Sequence, residues 1–190
     1  MSDRITHHIE QHITTIQLLA ESSHLIETIV QSITHCLSQN GKILWMGNGG
    51  SAADCQHMAA EFVGRFQLER KGLASIALTT DTSILTSVGN DYGFEKIFSR
   101  QIESLCNNND IVIGISTSGN STNIIEGFKQ AKKIGAHTIG FTGNDGGLIA
   151  TQAHSCIIVP SNNTARIQEA HILIGHIICA CIESDYFGTI

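Results

Sequence analysis

Short apolar runs that alternate with longer helical patterns limit most strongly how this chain can fold. The runs lack a regular polar alternation, which is typical of strands buried on both faces. They span residues 43–46, 75–78, 111–115, 138–141 and 156–159. Helical patterns follow them at 51–66, 82–88, 94–105, 122–134 and 165–186. This alternation predicts an α/β fold, in which one five-stranded parallel sheet is flanked by helices in three layers.

The first forty residues form a separate pattern. Apolar residues recur every three to four positions from Ile5 to about Gln39, and Asn40-Gly41 is a helix stop signal. We expect a long helix with a bend near Ser22 and Ser23. Its apolar face exceeds what one small sheet covers, so residues 1–40 are predicted to form an oligomerisation arm on a domain of residues 41–190.

Composition excludes several classes of protein. The chain has 190 residues, enough for one domain with a real core, and 11 Lys and Arg against 17 Asp and Glu give a net charge of −6. No basic tract is dense enough for direct binding of nucleic acid. No secretory leader or long uninterrupted apolar stretch is visible, so we expect a cytoplasmic protein without a membrane partner. Six scattered cysteines are interpreted as reduced core thiols.

Two turns suit a phosphorylated ligand. Residues 46–51 (MGNGGS) and 115–121 (ISTSGNS) each follow a predicted strand and open a predicted helix. Glycine lets backbone amides approach a phosphate, hydroxyl groups donate to its oxygens, and the helix N-terminus adds partial positive charge. Neither turn has the lysine of a nucleotide-cleaving loop. The first turn also fits a dinucleotide-binding motif, but the acid expected about 20 residues later is missing.

Two helices carry side chains that could perform chemistry. His57 and Glu61 are four residues apart on one helix face, a spacing that suits a metal site, a base with its orienting partner, or a solvated pair. Gln168 and His176 project from one side of the last helix, either as core residues or as a site. Asn90-Asp91 is predicted to lie in a tight turn, where it either serves the turn or binds polyol hydroxyls.

Several motifs together resemble the bacterial phosphoheptose isomerases, a family with the sugar isomerase (SIS) fold. The motifs are Gly47–Asp54 with His57 and Glu61, Gly89–Phe94, Ser116–Ser121, Thr142–Gly147, and Arg166–Glu169 with His176. The resemblance extends from the first helix to the last. One departure is the loop Ser161–Ala165, which lacks an acidic residue that some members carry before the Arg-Ile-Gln-Glu run.

The resemblance implies a reaction and a site. The reaction is conversion of sedoheptulose 7-phosphate to D-glycero-D-manno-heptose 7-phosphate, for heptose units of lipopolysaccharide or related glycans. It implies a homotetramer with shared active sites, and one zinc ion per subunit bound by His57, Glu61, Gln168 and His176. Glu61 and His176 would be the catalytic pair. Substrate-binding positions would be Asn48, Gly49, Gly50, Ser51, Glu61, Asn90, Asp91, Ser116, Thr117, Ser118, Ser121 and Gln168.

A non-catalytic relative is the main alternative. The same fold occurs in a replication-initiator-associating protein, a tetramer that serves as a protein-binding platform and resembles this chain through Arg166–Glu169. The presence of both Glu61 and His176 in this chain favours the enzyme.

Overall fold

The computed structural model describes residues 2–188, and its architecture is the predicted α/β fold. Helices α1–α8 span Ser2–Leu19, Ser23–Ser38, Gly50–Val63, Thr82–Tyr92, Ile97–Leu105, Thr122–Ile134, Gly147–Gln152 and Thr164–Phe187. Strands β1–β5 span Ile43–Gly47, Ser75–Ala77, Ile111–Ser116, His137–Thr142 and Ser155–Ile158. The strands pair in parallel in the order β2-β1-β3-β4-β5. The predicted five-stranded parallel sheet is confirmed.

The sheet has an apolar layer on each face. Along β1, Ile43 and Trp45 contribute to one core cluster, and Leu44 and Met46 contribute to the other. This division follows from the alternation of side chains along a strand. Helices α2, α3 and α8 cover the first face, and α5, α6 and α7 cover the second. The carboxyl ends of the strands, where a ligand is expected in such a sheet, remain at one edge between these layers.

The N-terminal arm is helical but broken. A 3-10 turn at Ala20–Ser22 separates α1 from α2, beside the predicted bend. Helix α2 buries its apolar side chains in the core of the first face. In α1, by contrast, Ile5, Ile9 and Ile13 are 67%, 55% and 48% exposed. The boundary at residue 40 and the role of the arm in oligomerisation stay predictions.

Two local predictions need correction. Asn90 and Asp91 do not lie in a turn between helices, because α4 extends to Tyr92 and they form part of its last turn. Gly93, with φ at +93°, ends the helix where a residue with a Cβ would be strained. The sequence pattern also does not predict α7, whose six residues are too few to show a helical period.

Helix α8 belongs to the core. It is long and apolar enough to cross a membrane by length and composition. Its buried residues, among them Ile167, Ile174 and Ile178, pack in the core of the first face. The helix therefore has its apolar partners within the domain.

The cysteines are free thiols, as expected. Burial is the main reason that the pKa of Cys36 is raised to about 11 and that of Cys179 to about 12. The thiolate form is therefore scarce at neutral pH.

A buried carboxylate near the end of α8 fixes the segment that follows α3. Glu183 is 2% exposed and accepts hydrogen bonds from the backbone amides of Phe66, Gln67 and Leu68 and from Nε of Arg70, at 2.8–2.9 Å. Burial alone would raise the pKa of Glu183, but these hydrogen bonds lower it below the usual range of a glutamate.

We predict that Glu183→Gln lowers the free energy of unfolding by about 3 kcal/mol, because it leaves Arg70 buried without its counter-charge. Denaturant titration at fixed protein concentration measures this. The folded-state pKa is depressed, so the stabilisation is present above pH of about 4.3 and is lost as the pH falls through the folded-state pKa. The difference from the wild type should therefore shrink in acid. Glu103→Gln, which breaks an exposed pair with Arg100, should cost less than about 1 kcal/mol. Equal losses of unfolding free energy in Glu183→Gln and Glu103→Gln would contradict the prediction.

Candidate active site and metal centre

Helices α3 and α8 run side by side in the same direction at very close range. A Cβ on Gly50 would lie 2.6 Å from Nε2 of Gln168, near the start of both helices. Two turns further along, a Cβ on Gly175 would lie 2.2 Å from Sδ of Met58. Because Gly50 and Gly175 have no side chain, the two helices approach each other closely. Polar groups on their facing sides therefore meet.

His57 and Glu61 of α3 meet His176 of α8 at this interface. Their ligand atoms lie within 4.8 Å of one another. Nε2 of His57 donates a hydrogen bond to Oε1 of Glu61 at 3.1 Å. The rings of His57 and His176 meet edge to face, with centroids 5.1 Å apart. His57 is exposed and the other two are half-buried, so a ligand can reach the cluster.

This donor set fits a divalent metal ion. Two imidazoles and one carboxylate form a common set of three protein ligands for catalytic zinc, with a further position left for water or substrate. We therefore describe His57, Glu61 and His176 as a candidate metal site.

The ring of His176 is held from its other side by Phe66. The two rings stack with centroids 5.5 Å apart and an interplanar angle of 23°. Phe66 lies in the segment whose backbone amides are bound by Glu183. The buried carboxylate therefore supports the orientation of His176 through one intervening residue.

Gln168 lies at the other end of the helix pair. It packs on Gly50, and its separation of eight positions from His176 corresponds to about 12 Å of helical rise. Its role as a fourth metal ligand and as a substrate contact stays a prediction.

A second polar site lies at the carboxyl end of β3. Oγ of Ser116 is 2.8 Å from Oγ of Ser121 and 3.5 Å from Oγ of Ser118. Ser121 is the N-cap residue of α6, and its side chain does not cap the helix, so the hydroxyls and the helix N-terminus converge. Gly119, with φ at +68°, makes the turn; a Cβ there would lie 2.1 Å from the carbonyl oxygen of Gly146. Thr117 contributes its carbonyl oxygen, which accepts a hydrogen bond from Asn144.

The glycine-rich turn after β1 lies beside this site. Asn48 exchanges hydrogen bonds with Asn123 at 2.9 and 2.8 Å. Both residues line a cavity of about 500 Å³ that Ser121 and Phe94 also line. Gly49, with φ at +56°, precedes α3, and Gly50 and Ser51 begin the helix, with Ser51 only 3% exposed.

The Asn90-Asp91 pair is exposed and lies just before this cavity in the chain. Nδ2 of Asn90 donates to Oδ1 of Asp91 at 2.8 Å. Phe94, three residues after Asp91, is part of the cavity wall. Substrate contacts by Asn90 and Asp91 stay predictions.

The structure therefore places the predicted residues in two groups. None of His57, Glu61 and His176 lines the cavity beside Ser121. Along the axis of α3, His57 lies about 10 Å and Glu61 about 16 Å beyond Gly50. The cavity beside Ser121 and the candidate metal site are thus separate within one chain.

Comparisons with known proteins identify the family. A family model for the SIS domain matches residues 7–143. A phosphoheptose isomerase of Aquifex aeolicus is 60% identical over 151 residues, which cover 80% of this chain and 79% of the relative. One from Aneurinibacillus thermoaerophilus is 52% identical, covering 98% of this chain and 96% of the relative. The structure of a phosphoheptose isomerase from Neisseria gonorrhoeae matches with a TM-score of 0.92 and 45% identity, covering 96% and 98% of the two chains.

The chain belongs to the phosphoheptose isomerases of the SIS-domain family. It is an isomerase, and the resemblance based on its motifs is confirmed. The names of these relatives give no support to a dinucleotide-binding protein or to the non-catalytic protein-binding platform.

Sequence reasoning missed three residues that lie beside the candidate site residues. Phe66 ends the helical pattern predicted at 51–66, whereas α3 ends at Val63, and its contact with His176 has no signal in the sequence. Asn123 could have been suspected, because it is the second residue of the helix that follows the hydroxyl-rich turn. Asp54 lies one turn before His57 and has a buried Oδ2 without a hydrogen-bond partner in the described residues. Burial raises the pKa of Asp54, and the charge of His57 opposes this rise.

Proposed function

We propose that this isomerase converts sedoheptulose 7-phosphate to D-glycero-D-manno-heptose 7-phosphate, for heptose units of lipopolysaccharide or related glycans. The observation that carries the proposal is the meeting of His57, Glu61 and His176 between α3 and α8. A carboxylate and an imidazole at one place are the groups that this proton transfer requires.

Glu61 and His176 divide the proton transfers in this mechanism. Glu61 removes a proton from C1 of the ketose, which gives an enediolate, and a proton is then returned to C2 to form the aldose. His176 acts as the partnering acid and base at the substrate oxygens. The hydrogen bond from His57 orients the Glu61 carboxylate. Stacking on Phe66 restricts the rotation of the His176 ring.

The metal in this proposal is zinc, bound by His57, Glu61, Gln168 and His176. When bound, zinc supplies a Lewis acid beside the substrate oxygens. The cluster within 4.8 Å supports three of these ligands, His57, Glu61 and His176; Gln168 is included on the family resemblance alone. Gln168 is neutral, so its participation keeps the site more electrophilic than a further carboxylate would.

The phosphate end of the substrate binds at the second group. Ser116, Thr117, Ser118 and Ser121 hold the phosphate, where hydroxyl donors and the N-terminus of α6 favour an anion. The sugar chain contacts Asn48, Gly49, Gly50, Ser51, Asn90, Asp91, Glu61 and Gln168.

Complete sites form between subunits of a homotetramer in the cytoplasm. Two observations support shared sites. The cluster and the phosphate turn are separated within one chain, and Ile5, Ile9 and Ile13 of α1 present an exposed apolar row to a second copy.

We expect the wild type to form the aldose from sedoheptulose 7-phosphate, followed by NMR, and to lose activity with a chelator. Glu61→Gln and His176→Asn should each lower kcat by at least about 100-fold, because each removes a proton-transfer group. Glu69→Gln and His24→Asn replace exposed residues of the same types outside the cluster and should retain activity. No turnover by a folded, zinc-loaded wild type would refute the substrate assignment.

Shared sites predict complementation between inactive variants. Ser121→Asp places a negative charge at the phosphate turn with a residue type that is favoured at helix N-caps, and Glu61→Gln disables the cluster. In mixed tetramers, random assortment leaves roughly a quarter of the sites with both groups intact. Mixed tetramers, made by co-expression, should therefore recover about that share of wild-type activity. If each site lies within one chain, the mixture stays inactive.

A further inference from the structure

Two asparagine side chains join the turn after β1 to the start of α6. Nδ2 of Asn48 donates to Oδ1 of Asn123 at 2.9 Å, and Nδ2 of Asn123 donates to Oδ1 of Asn48 at 2.8 Å. We call these two residues the amide pair. Asn48 lies in the first of the two turns that suit a phosphorylated ligand, and Asn123 follows the second turn by two residues. The amide pair therefore connects the two turns directly.

Asn123 is the fixed member of the amide pair. It is only 3% exposed and is the second residue of α6. The next residue, Ile124, packs so closely on β3 that a Cβ on Gly114 would lie 2.6 Å from its Cγ2. A Cβ on Gly127 of α6 would lie 2.5 Å from Sδ of Met46 in β1. The start of α6 is thus held against both strands, and the amide of Asn123 is held with it.

Asn48 is the member that depends on the amide pair. It is half-buried and directly follows β1, whereas Gly49 and Gly50 after it are exposed. Glycine has no side chain, so within residues 48–50 only Asn48 can bind a neighbouring element through a side chain. Its two hydrogen bonds to Asn123 restrict the rotation of its amide group.

The amide pair leaves Asn48 with free hydrogen-bonding groups beside a cavity. A primary amide has two N–H donors and an oxygen with two lone pairs, and the pair uses one donor and one lone pair of each residue. The remaining N–H and lone pair of Asn48 are directed away from Asn123. Both asparagines line the cavity of about 500 Å³ that Ser121 of the hydroxyl-rich turn also lines. A sugar hydroxyl, which both donates and accepts, matches this combination.

We propose that Asn123 is a positioning residue that acts through Asn48, by fixing the plane of the amide that faces the sugar chain. The inference rests on the proposed function, in which Asn48 contacts the sugar and the hydroxyl-rich turn holds the phosphate. The direct contact between the two amides carries it. The buried start of α6 thereby orders the more exposed glycine-rich turn before substrate binds.

The test is a double-mutant cycle on the kinetics with sedoheptulose 7-phosphate. Asn123→Leu approximately keeps the size of the side chain and removes both hydrogen bonds. It should raise KM by about ten-fold and change kcat by less than about two-fold, because an ordered sugar contact is lost equally from the ground state and the transition state. In an Asn48→Ala background, the same substitution should change KM by less than about two-fold, because the residue through which it acts is gone.

Inorganic phosphate separates the positioning of Asn48 from damage to the neighbouring phosphate turn. As a competitive inhibitor it binds without a sugar chain, so its inhibition constant should be the same in Asn123→Leu and the wild type. A merely structural role of Asn123 would raise this constant together with KM, because Ser121 lies only two residues earlier. Asn109→Leu replaces an exposed asparagine at the opposite end of β3 and, as the matched control, should keep the wild-type KM.

A second variant guards against misfolding of the first. Asn123→Ala removes the amide without placing an apolar branch in the cavity, and thermal unfolding shows which of the two variants is folded. Asn123→Ala enters the same cycle and should give the same result.

The outcomes are distinguishable. An unchanged KM in the folded variants, an equal rise in both Asn48 backgrounds, or a parallel rise of the phosphate inhibition constant would overturn the positioning role and leave the proposed function standing. No turnover of sedoheptulose 7-phosphate by the wild type would overturn the proposed function, and this inference with it.

Discussion

The close packing of α8 on α3 is the interaction on which the candidate site depends. Gly175 lies so near Met58 that one added methyl group would force the helices apart or displace the methionine. Because His176 follows Gly175 directly, the same contact sets the distance from His176 to His57 and Glu61. A glycine in a helix normally costs up to about 1 kcal/mol, so its presence here is explained by the approach that it permits.

The ends of this helix pair are fixed by different means. At the far end, the buried Glu183 binds the segment after α3 and thereby supports Phe66, which stacks on His176. At the near end, Gln168 packs on Gly50 at the carboxyl edge of the sheet. The candidate metal site is thus built from helices packed on one face of the sheet, while the hydroxyl-rich turn after β3 belongs to the sheet edge itself. A phosphorylated substrate needs both, which is the physical reason for expecting sites that span two subunits.

Much of this arrangement could be predicted from the sequence, and the limits have physical causes. The strand and helix alternation predicts the sheet because burial on both faces leaves a local pattern. The spacing of His57 and Glu61 predicts a shared helix face but does not reveal that His176 joins them, since that contact depends on tertiary packing. The hydrogen bonds of Glu183 connect residues more than 110 positions apart and have no local signature. The sequence pattern misplaces the end of α4, because Asn90 and Asp91 favour turns, whereas Gly93 determines where the helix stops.

The central claim is that α3 and α8 together form a zinc site of nitrogen and oxygen donors. Zinc K-edge X-ray absorption on the loaded protein tests it directly, because this chain also contains six thiols that could compete for the metal. The account predicts only nitrogen and oxygen atoms bonded to zinc, at about 2.0–2.2 Å, with outer-shell scattering from two imidazoles. A sulfur atom at about 2.3 Å, or scattering from no imidazole, would contradict it.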